Sequence, residues 1–189
     1  MKEATEEQVI EACRRGVVSA QRELYDRYVD RLYYVILRYV KDTHYAENVL
    51  QDVFLKVFNN IQAYEAHKGA FNTWVSTIAV REAINHFKKR KLDFEPMESA
   101  APSSCSRQAS ILSILEAEEI MFIIGQIPLK YRVIFNLYDI DGYTHREIAD
   151  LLELSESTSR SYLARAKGMI QQKVLDYYYP KTMSNGKAS

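Results

Sequence analysis

The 189-residue sequence predicts an all-α protein, with an N-terminal helical bundle and a C-terminal helix-turn-helix domain joined by a flexible linker. Helix-forming residues are abundant, and the helix breakers are few, with 6 Gly and 4 Pro. Apolar residues recur at three- and four-residue intervals in both halves. A Ser- and Pro-rich stretch without that periodicity separates the halves. We therefore expect domains at residues 1–92 and 111–178, a linker at 93–110 and a disordered tail at 179–189.

Four helices are predicted in the N-terminal half. The first begins at Thr5, with Gln8 at capping-box spacing, and ends at Gly16. The others span approximately residues 20–41, 44–61 and 71–91. The third of these helices carries a stripe predicted to be buried: Ala46, Val49, Leu50, Val53, Phe54 and Val57.

Three short helices are predicted after Pro128 in the C-terminal half. The first covers residues 129–140 and ends at Asp141-Gly142. Thr144 and Glu147 form a second capping box, and Ser155 is placed to cap the third helix, which continues past Lys173. A capped short helix, an apolar turn residue and a basic second helix together indicate a DNA-binding helix-turn-helix.

The last of these helices has two distinct faces. Ser159, Leu163, Ala166 and Ile170 fall on one stripe that should pack inward, where the Ser159 hydroxyl can bond back to a carbonyl one turn earlier. The opposite face offers arginines, which can bond guanine edges, and small hydroxyl residues and a lysine, which can reach phosphates. Its predicted DNA contacts are Ser157, Thr158, Arg160, Ser161, Ala164, Arg165 and Lys167. A solvated basic face is the alternative interpretation of the helix taken alone.

The third N-terminal helix also has an outward face, with one exposed apolar residue among polar ones. It presents Glu47, Asn48, Gln51, Asp52 and Leu55. Single exposed leucines are normal on soluble proteins, so the residues alone leave open whether a protein partner binds here.

In the segment that follows, two aromatic residues precede a basic run. Phe71 and Trp74 share a helix face and could stack on unpaired bases, near a basic run at residues 88–91. Trp74 is more simply explained as a core residue, which leaves the loop at residues 64–70 and the Asn85 face as the better DNA candidates. The predicted contacts are Tyr64, Lys68, Phe71, Arg81, Asn85, Lys88 and Lys89.

Composition argues against several other classes of protein. The formal net charge is zero, but the charges are segregated along the chain, so a nucleic-acid partner is still compatible. Neither a secretory signal nor a membrane-length apolar stretch is evident, and two distant cysteines fit a reduced, cytoplasmic location. Four scattered histidines, with His145 expected at the surface, give no metal site, and no catalytic motif or cofactor is predicted.

Three segments resemble the extracytoplasmic-function (ECF) sigma factors of bacterial RNA polymerase: residues 144–149, 154–161 and 163–167. Residues 46–54 resemble the helix with which this family docks on the clamp helices of the largest polymerase subunit. The resemblance implies that the C-terminal domain binds the −35 promoter element. It also implies that the N-terminal domain binds core polymerase and melts and reads the −10 element. The partners implied are core RNA polymerase and promoter DNA, with no membrane, and a flexible linker would permit an anti-sigma factor to clamp both domains.

Two other functions fit parts of the pattern. One is a helix-turn-helix regulator whose N-terminal half senses a ligand or forms a dimer. The other is a protein-interaction module with an incidental basic helix. Tight promoter binding without core polymerase would favour the regulator, and a lack of salt-sensitive DNA binding would exclude both DNA-binding functions.

Overall fold

The structure, a computed structural model, describes residues 4–40, 42–89 and 117–179. Within these ranges it contains eight α-helices and no strand, which confirms the predicted all-α class. The chain divides after Leu92 into two compact units. The predicted linker, the basic residues Arg90 and Lys91, and all of the predicted tail except Tyr179 lie outside the described residues.

The first unit consists of four helices and two short 3-10 turns. The helices are α1 (Glu6–Arg14), α2 (Val18–Leu37), α3 (Thr43–Asn60) and α4 (Phe71–Lys89), and the turns are Ile61–Ala63 and Ala66–Lys68. The predicted Thr5–Gln8 capping box is present, and Gly16 adopts φ +76°, a conformation that favours glycine. Helix α2 ends four residues before its predicted limit of Lys41. The amides of Tyr39 and Val40 both donate to the Ile36 carbonyl, which closes the last turn.

The core of this unit follows the predicted periodicity. Every residue of the α3 stripe from Ala46 to Val57 is buried, as expected. Helix α3 packs on both α2 and α4, while α1 packs on α2. On α2, Leu32 and Ile36 are fully buried. Three long helices thus enclose one core, and the opposite face of α3 is left at the surface.

The second unit is organised around its last helix. Its helices are α5 (Ala117–Gly125), α6 (Leu129–Phe135), α7 (His145–Leu152) and α8 (Glu156–Tyr178). The predicted single helix over residues 129–140 is α-helical only as far as Phe135 and continues as a π-helical turn, Asn136–Ile140. Helix α8 packs against α5, α6 and α7. Its position within the unit is therefore fixed by three neighbours.

Candidate nucleic-acid interface

Helices α7 and α8 form a capped helix-turn-helix. The Thr144 hydroxyl accepts from the Glu147 amide at 3.3 Å, and a Glu147 carboxylate oxygen accepts from the Thr144 amide at 2.8 Å. After α7, Glu153 takes a left-handed conformation with φ +57°, which turns the chain sharply. Ser155 then caps α8 by accepting from the Thr158 amide at 3.0 Å. Both predicted caps are confirmed, and they fix where α8 begins.

The two faces of α8 lie as its periodicity predicts. Ser159, Leu163, Ala166 and Ile170 are all buried. The predicted DNA contacts lie on the remaining surface, where Ser157, Arg160 and Ala164 are exposed and Thr158, Ser161, Arg165 and Lys167 are half-buried. These side chains occupy consecutive turns of one helix, which is the arrangement that fits a major groove.

Two cations on this surface are paired with carboxylates. An Arg160 guanidinium nitrogen lies 2.6 Å from a Glu156 carboxylate oxygen, within the same helix. The Lys167 ammonium lies 2.9 Å from an Asp139 carboxylate oxygen and 5.8 Å from the centre of the Tyr138 ring. Both pairs are partly exposed, so each contributes only about 0–1 kcal/mol and can be exchanged for a phosphate or a base.

His145 connects the π-helical turn to α8, and its contacts correct two predictions. It is half-buried, stacks on Tyr138 at a centroid distance of 4.4 Å, and its Nδ1 lies 2.9 Å from the Ser159 hydroxyl. Ser159 is therefore hydrogen-bonded to another helix instead of to a carbonyl one turn back. Burial and, next, the charge of Arg160 lower the pKa of His145, because both disfavour the imidazolium. The local sequence gives no signal of this contact, because it spans 14 residues.

Arg132 is a second polar residue whose role the sequence did not reveal. Its side chain is only 2% exposed, and one guanidinium nitrogen donates to the Gly125 carbonyl at 3.1 Å. Burial lowers the pKa of this guanidinium. The bond connects α6 to the carboxyl end of α5, so Arg132 supports the fold of the unit.

The outward face of α3 in the first unit carries the residues predicted to bind a protein partner. Glu47, Asn48, Gln51 and Leu55 are exposed, with Leu55 at 62%. Asp52 is half-buried, and one of its carboxylate oxygens lies 2.9 Å from the His86 ring nitrogen on α4. This contact ties the edge of the α3 face to the helix that carries the predicted −10 residues.

Two aromatic residues predicted to contact DNA are in the core. Phe71 is 1% exposed and Tyr64 is 8% exposed. Their ring centres lie 5.0 Å apart, and Tyr28 packs against Phe71 at 5.4 Å. Neither ring can stack on a base in this conformation, because each is enclosed by other side chains. Trp74, expected in the core, packs on both rings but is only half-buried.

The other predicted −10 contacts are more accessible. Lys68, Arg81 and Asn85 are exposed and Lys88 is half-buried, whereas the side chain of Lys89 lies outside the described residues. Lys68 is paired with Glu65 at 2.8 Å. The Asn85 amide donates to a Glu82 carboxylate oxygen at 3.1 Å, and the same oxygen lies 2.6 Å from the Lys56 ammonium. Arg81, Asn85 and Lys88 lie along the second half of α4, and the loop at residues 64–70 precedes the first turn of the same helix.

The described part of the chain offers neither a metal site nor a membrane-spanning helix. Residues 4–40, 42–89 and 117–179 contain no group of three acidic, histidine or cysteine side chains placed to hold a metal ion. No helix within those same ranges is long and apolar enough to cross a membrane.

Comparison with known proteins finds similarity in both units. The family model for Sigma-70 region 2 matches residues 24–92, and that for Sigma-70, region 4 matches residues 117–170. The ECF RNA polymerase sigma factor SigW of Bacillus subtilis is 24% identical over 88% of this chain and 95% of its own length. The ECF RNA polymerase sigma-E factor of Escherichia coli is 26% identical over 92% of this chain and 96% of its own length.

Among solved structures, the sigma factor RpoE of Bartonella quintana, in complex with the anti-sigma factor NepR, is 17% identical to this chain. It aligns with a TM-score of 0.49 over 81% of this chain and 95% of that one. The two family matches together cover well over half of the sequence, and the curated relatives match it almost from end to end. The chain therefore belongs to the ECF family of RNA polymerase sigma factors, which are transcription initiation factors and not enzymes.

Proposed function

We propose that the two units divide promoter recognition between them, with α8 reading the −35 element and the first unit binding core polymerase and opening the −10 element. As a sigma factor, the chain directs promoter-specific initiation by binding core RNA polymerase and both elements. The assignment of each task to particular residues is the proposal. The observation that carries it is the continuous exposed face of α8, whose caps and inward stripe leave Arg160 and its neighbours available to DNA.

In the second unit, Arg160 is proposed to bond a base edge in the major groove of the −35 element. Its guanidinium is largely exposed and close to the amino end of α8, where helices of this motif contact bases. Ser157, Thr158, Ser161, Arg165 and Lys167 would contact phosphates or neighbouring bases, and Ala164 would allow close approach of the helix. Phosphate contacts position the helix, whereas Arg160 supplies sequence preference.

In the first unit, the exposed face of α3 is the proposed docking site for the clamp helices of the largest polymerase subunit. Glu47, Asn48, Gln51, Asp52 and Leu55 would form it. An exposed leucine within an acidic and polar rim is typical of a protein interface that combines apolar contact with charge complementarity. An anti-sigma factor that covered this face would prevent the chain from binding core polymerase. The proposed location of the complex of this chain with core polymerase is the cytoplasm.

The −10 element is proposed to contact α4 and the adjacent loop. Arg81, Asn85, Lys88 and Lys89 would hold the single strand, with Lys68 on the loop. Tyr64 and Phe71 serve this surface by supporting the loop from the core. Extruding a base costs a few kcal/mol of stacking, which polymerase binding would have to supply.

Run-off transcription with core polymerase on genomic DNA tests the proposal as a whole. We expect the full chain to form a one-to-one complex with core polymerase and to start transcripts at defined sites. Transcripts with random starts would contradict it. DNA binding that is equally tight without core polymerase would instead favour the helix-turn-helix regulator.

The docking site is tested by Asp52→Lys. We expect weaker binding to core polymerase, because the clamp would meet a reversed charge, with no change in DNA binding by the second unit. The matched control is Asp26→Lys, which reverses an exposed carboxylate on α2 that pairs only with Arg22 among the contacts described. If Asp52→Lys binds core polymerase normally while Leu55→Asp also has no effect, the docking face lies elsewhere.

A further inference from the structure

The carboxyl end of α1 is bonded to the segment between α3 and α4. One guanidinium nitrogen of Arg14 donates to the Tyr64 carbonyl at 2.5 Å, and another lies 3.4 Å from the Ile61 carbonyl. In return, the Gln62 side-chain amide donates to the Arg14 carbonyl at 2.7 Å. These contacts join residues 47 to 50 positions apart, and α1 precedes Leu24, where the region 2 match begins.

Helix α1 is itself firmly attached to the unit. Val9, Ile10 and Cys13 are buried on one face of it, against α2, and its amino end is closed by the Thr5 capping box. The Tyr28 hydroxyl on α2 also donates to the Glu6 carboxylate. Arg14 therefore extends from a fixed helix, and its planar fork can bond two carbonyls at once in a way that a lysine cannot.

The segment that Arg14 holds is the start of the loop proposed to contact the −10 element. The Tyr64 ring packs against Phe71 and Trp74, and its hydroxyl donates to the Gly69 carbonyl at 3.1 Å. Residues 65–70 are exposed between these two points. Gly69 adopts φ +152°, a conformation that side chains rarely take, so the far end of the loop is also specified. Tyr64 thus links Arg14 of α1, through its carbonyl, to the exposed loop residues 65–70, through its hydroxyl.

We infer that Arg14 is a positioning residue for −10 recognition, acting through the Tyr64 carbonyl and the aromatic cluster to hold the loop where an unpaired base can bind. The inference rests on the proposed role of the loop. Arg14 is half-buried and makes no contact with DNA itself in this scheme. A base-binding loop must be preorganised, because each degree of freedom that it loses on binding weakens capture.

The test uses full-length variants assembled with core polymerase on a duplex library. The library is randomised over the −10 positions of one promoter mapped by run-off transcription. The variants are Arg14→Ala, Arg14→Lys and the control Arg15→Ala, which removes the exposed neighbouring arginine. We expect Arg14→Ala to reduce the preference for the best −10 sequence about tenfold, as expected for loss of a charged hydrogen bond. Arg14→Lys should recover part of that preference, and Arg15→Ala should match the unmodified chain.

Core-polymerase affinity and −35 preference, measured on the same proteins, separate positioning from general damage. Both should be unchanged in Arg14→Ala if the residue acts on the loop. An unchanged −10 preference in Arg14→Ala overturns the inference, and so does an equal loss of core binding and −35 preference. Gln62→Ala breaks only the reciprocal bond and should give a smaller loss in the same direction. If the unmodified chain shows no −10 preference at all, the result contradicts the proposed function of the loop, on which the role of Arg14 rests.

Discussion

On α8 the proposed −35 contacts follow one another along a single helix, whereas in the first unit the proposed −10 contacts are divided between α4 and a loop. The helix face is fixed by its own periodicity and by caps within a few residues. The loop is fixed by Arg14 and by aromatic side chains from α2 and α4. The outward residues of one helix are therefore specified largely by their near neighbours in sequence, while the loop surface depends on contacts with distant parts of the unit.

The largest expected effect comes from Phe71→Ala. Removing this fully buried ring should lower the free energy of unfolding of the first unit by about 3–5 kcal/mol, because the cavity lies at the junction of α2, α4 and the loop. Urea unfolding of the full chain, followed by circular dichroism, measures the change.

Leu55→Ala is the matched control, because this apolar residue is largely exposed and should change stability by less than about 0.5 kcal/mol. If Phe71→Ala leaves stability unchanged but impairs promoter opening, Phe71 contacts DNA and the core role is contradicted.

Arg160→Ala should have the next largest effect, on sequence recognition with no effect on stability. We expect a loss of about 1–3 kcal/mol of discrimination between −35 sequences, which is typical of one bidentate contact. The measurement is transcription from promoters that differ only in the −35 element.

Arg22→Ala is the control, since Arg22 forms an equivalent pair with Asp26 four residues away on α2. A uniform loss on all −35 sequences would instead indicate that Arg160 contacts a phosphate.

The same difference between the regions explains what the sequence could predict. The buried stripes of α3 and α8 and the caps at Thr5, Thr144 and Ser155 were all predicted, because each depends on residues within one or two turns. These features define the helix-turn-helix and its outward face.

The parts that were not predicted depend on distant contacts. Tyr64 and Phe71 were expected at the DNA because aromatic rings serve equally well in cores and as base-stacking surfaces, and only the packing decides between them. Two contacts join residues that are far apart in the sequence, so no local pattern indicates them. They are the Arg14–Tyr64 bond and the contact of His145 with Ser159.

Acidification should weaken the contact between His145 and α8 in the second unit. The pKa of His145 is lowered in the folded chain, so the unfolded chain binds the proton more readily. The stabilising effect is present above the unfolded value of about 6.5 and is lost as the pH falls through the lower folded value. We expect the unmodified chain to lose a few degrees of Tm between pH 7 and pH 5, and His145→Asn to lose less.

Nuclear magnetic resonance titration of the imidazole in the full chain measures the same effect directly. The reference is the value of about 6.5 for an unperturbed imidazole. A His145 ring that titrates above that value would contradict the expected direction.

The smallest expected effect concerns Asp139, which pairs with Lys167 across the edge of the α8 face. Asp139→Asn should release the ammonium for a phosphate and raise DNA affinity only a few-fold, because a partly exposed pair is worth about 0.2–1 kcal/mol. The slope of log affinity against log salt concentration, for holoenzyme binding to a −35 duplex, should steepen by nearly one. That change corresponds to the release of one more counterion. Asp176→Asn is the control, since it removes an exposed carboxylate near the far end of the same helix. Equal salt dependence in the two variants would show that Lys167 stays away from the backbone, and the DNA face of α8 would then end at Arg165.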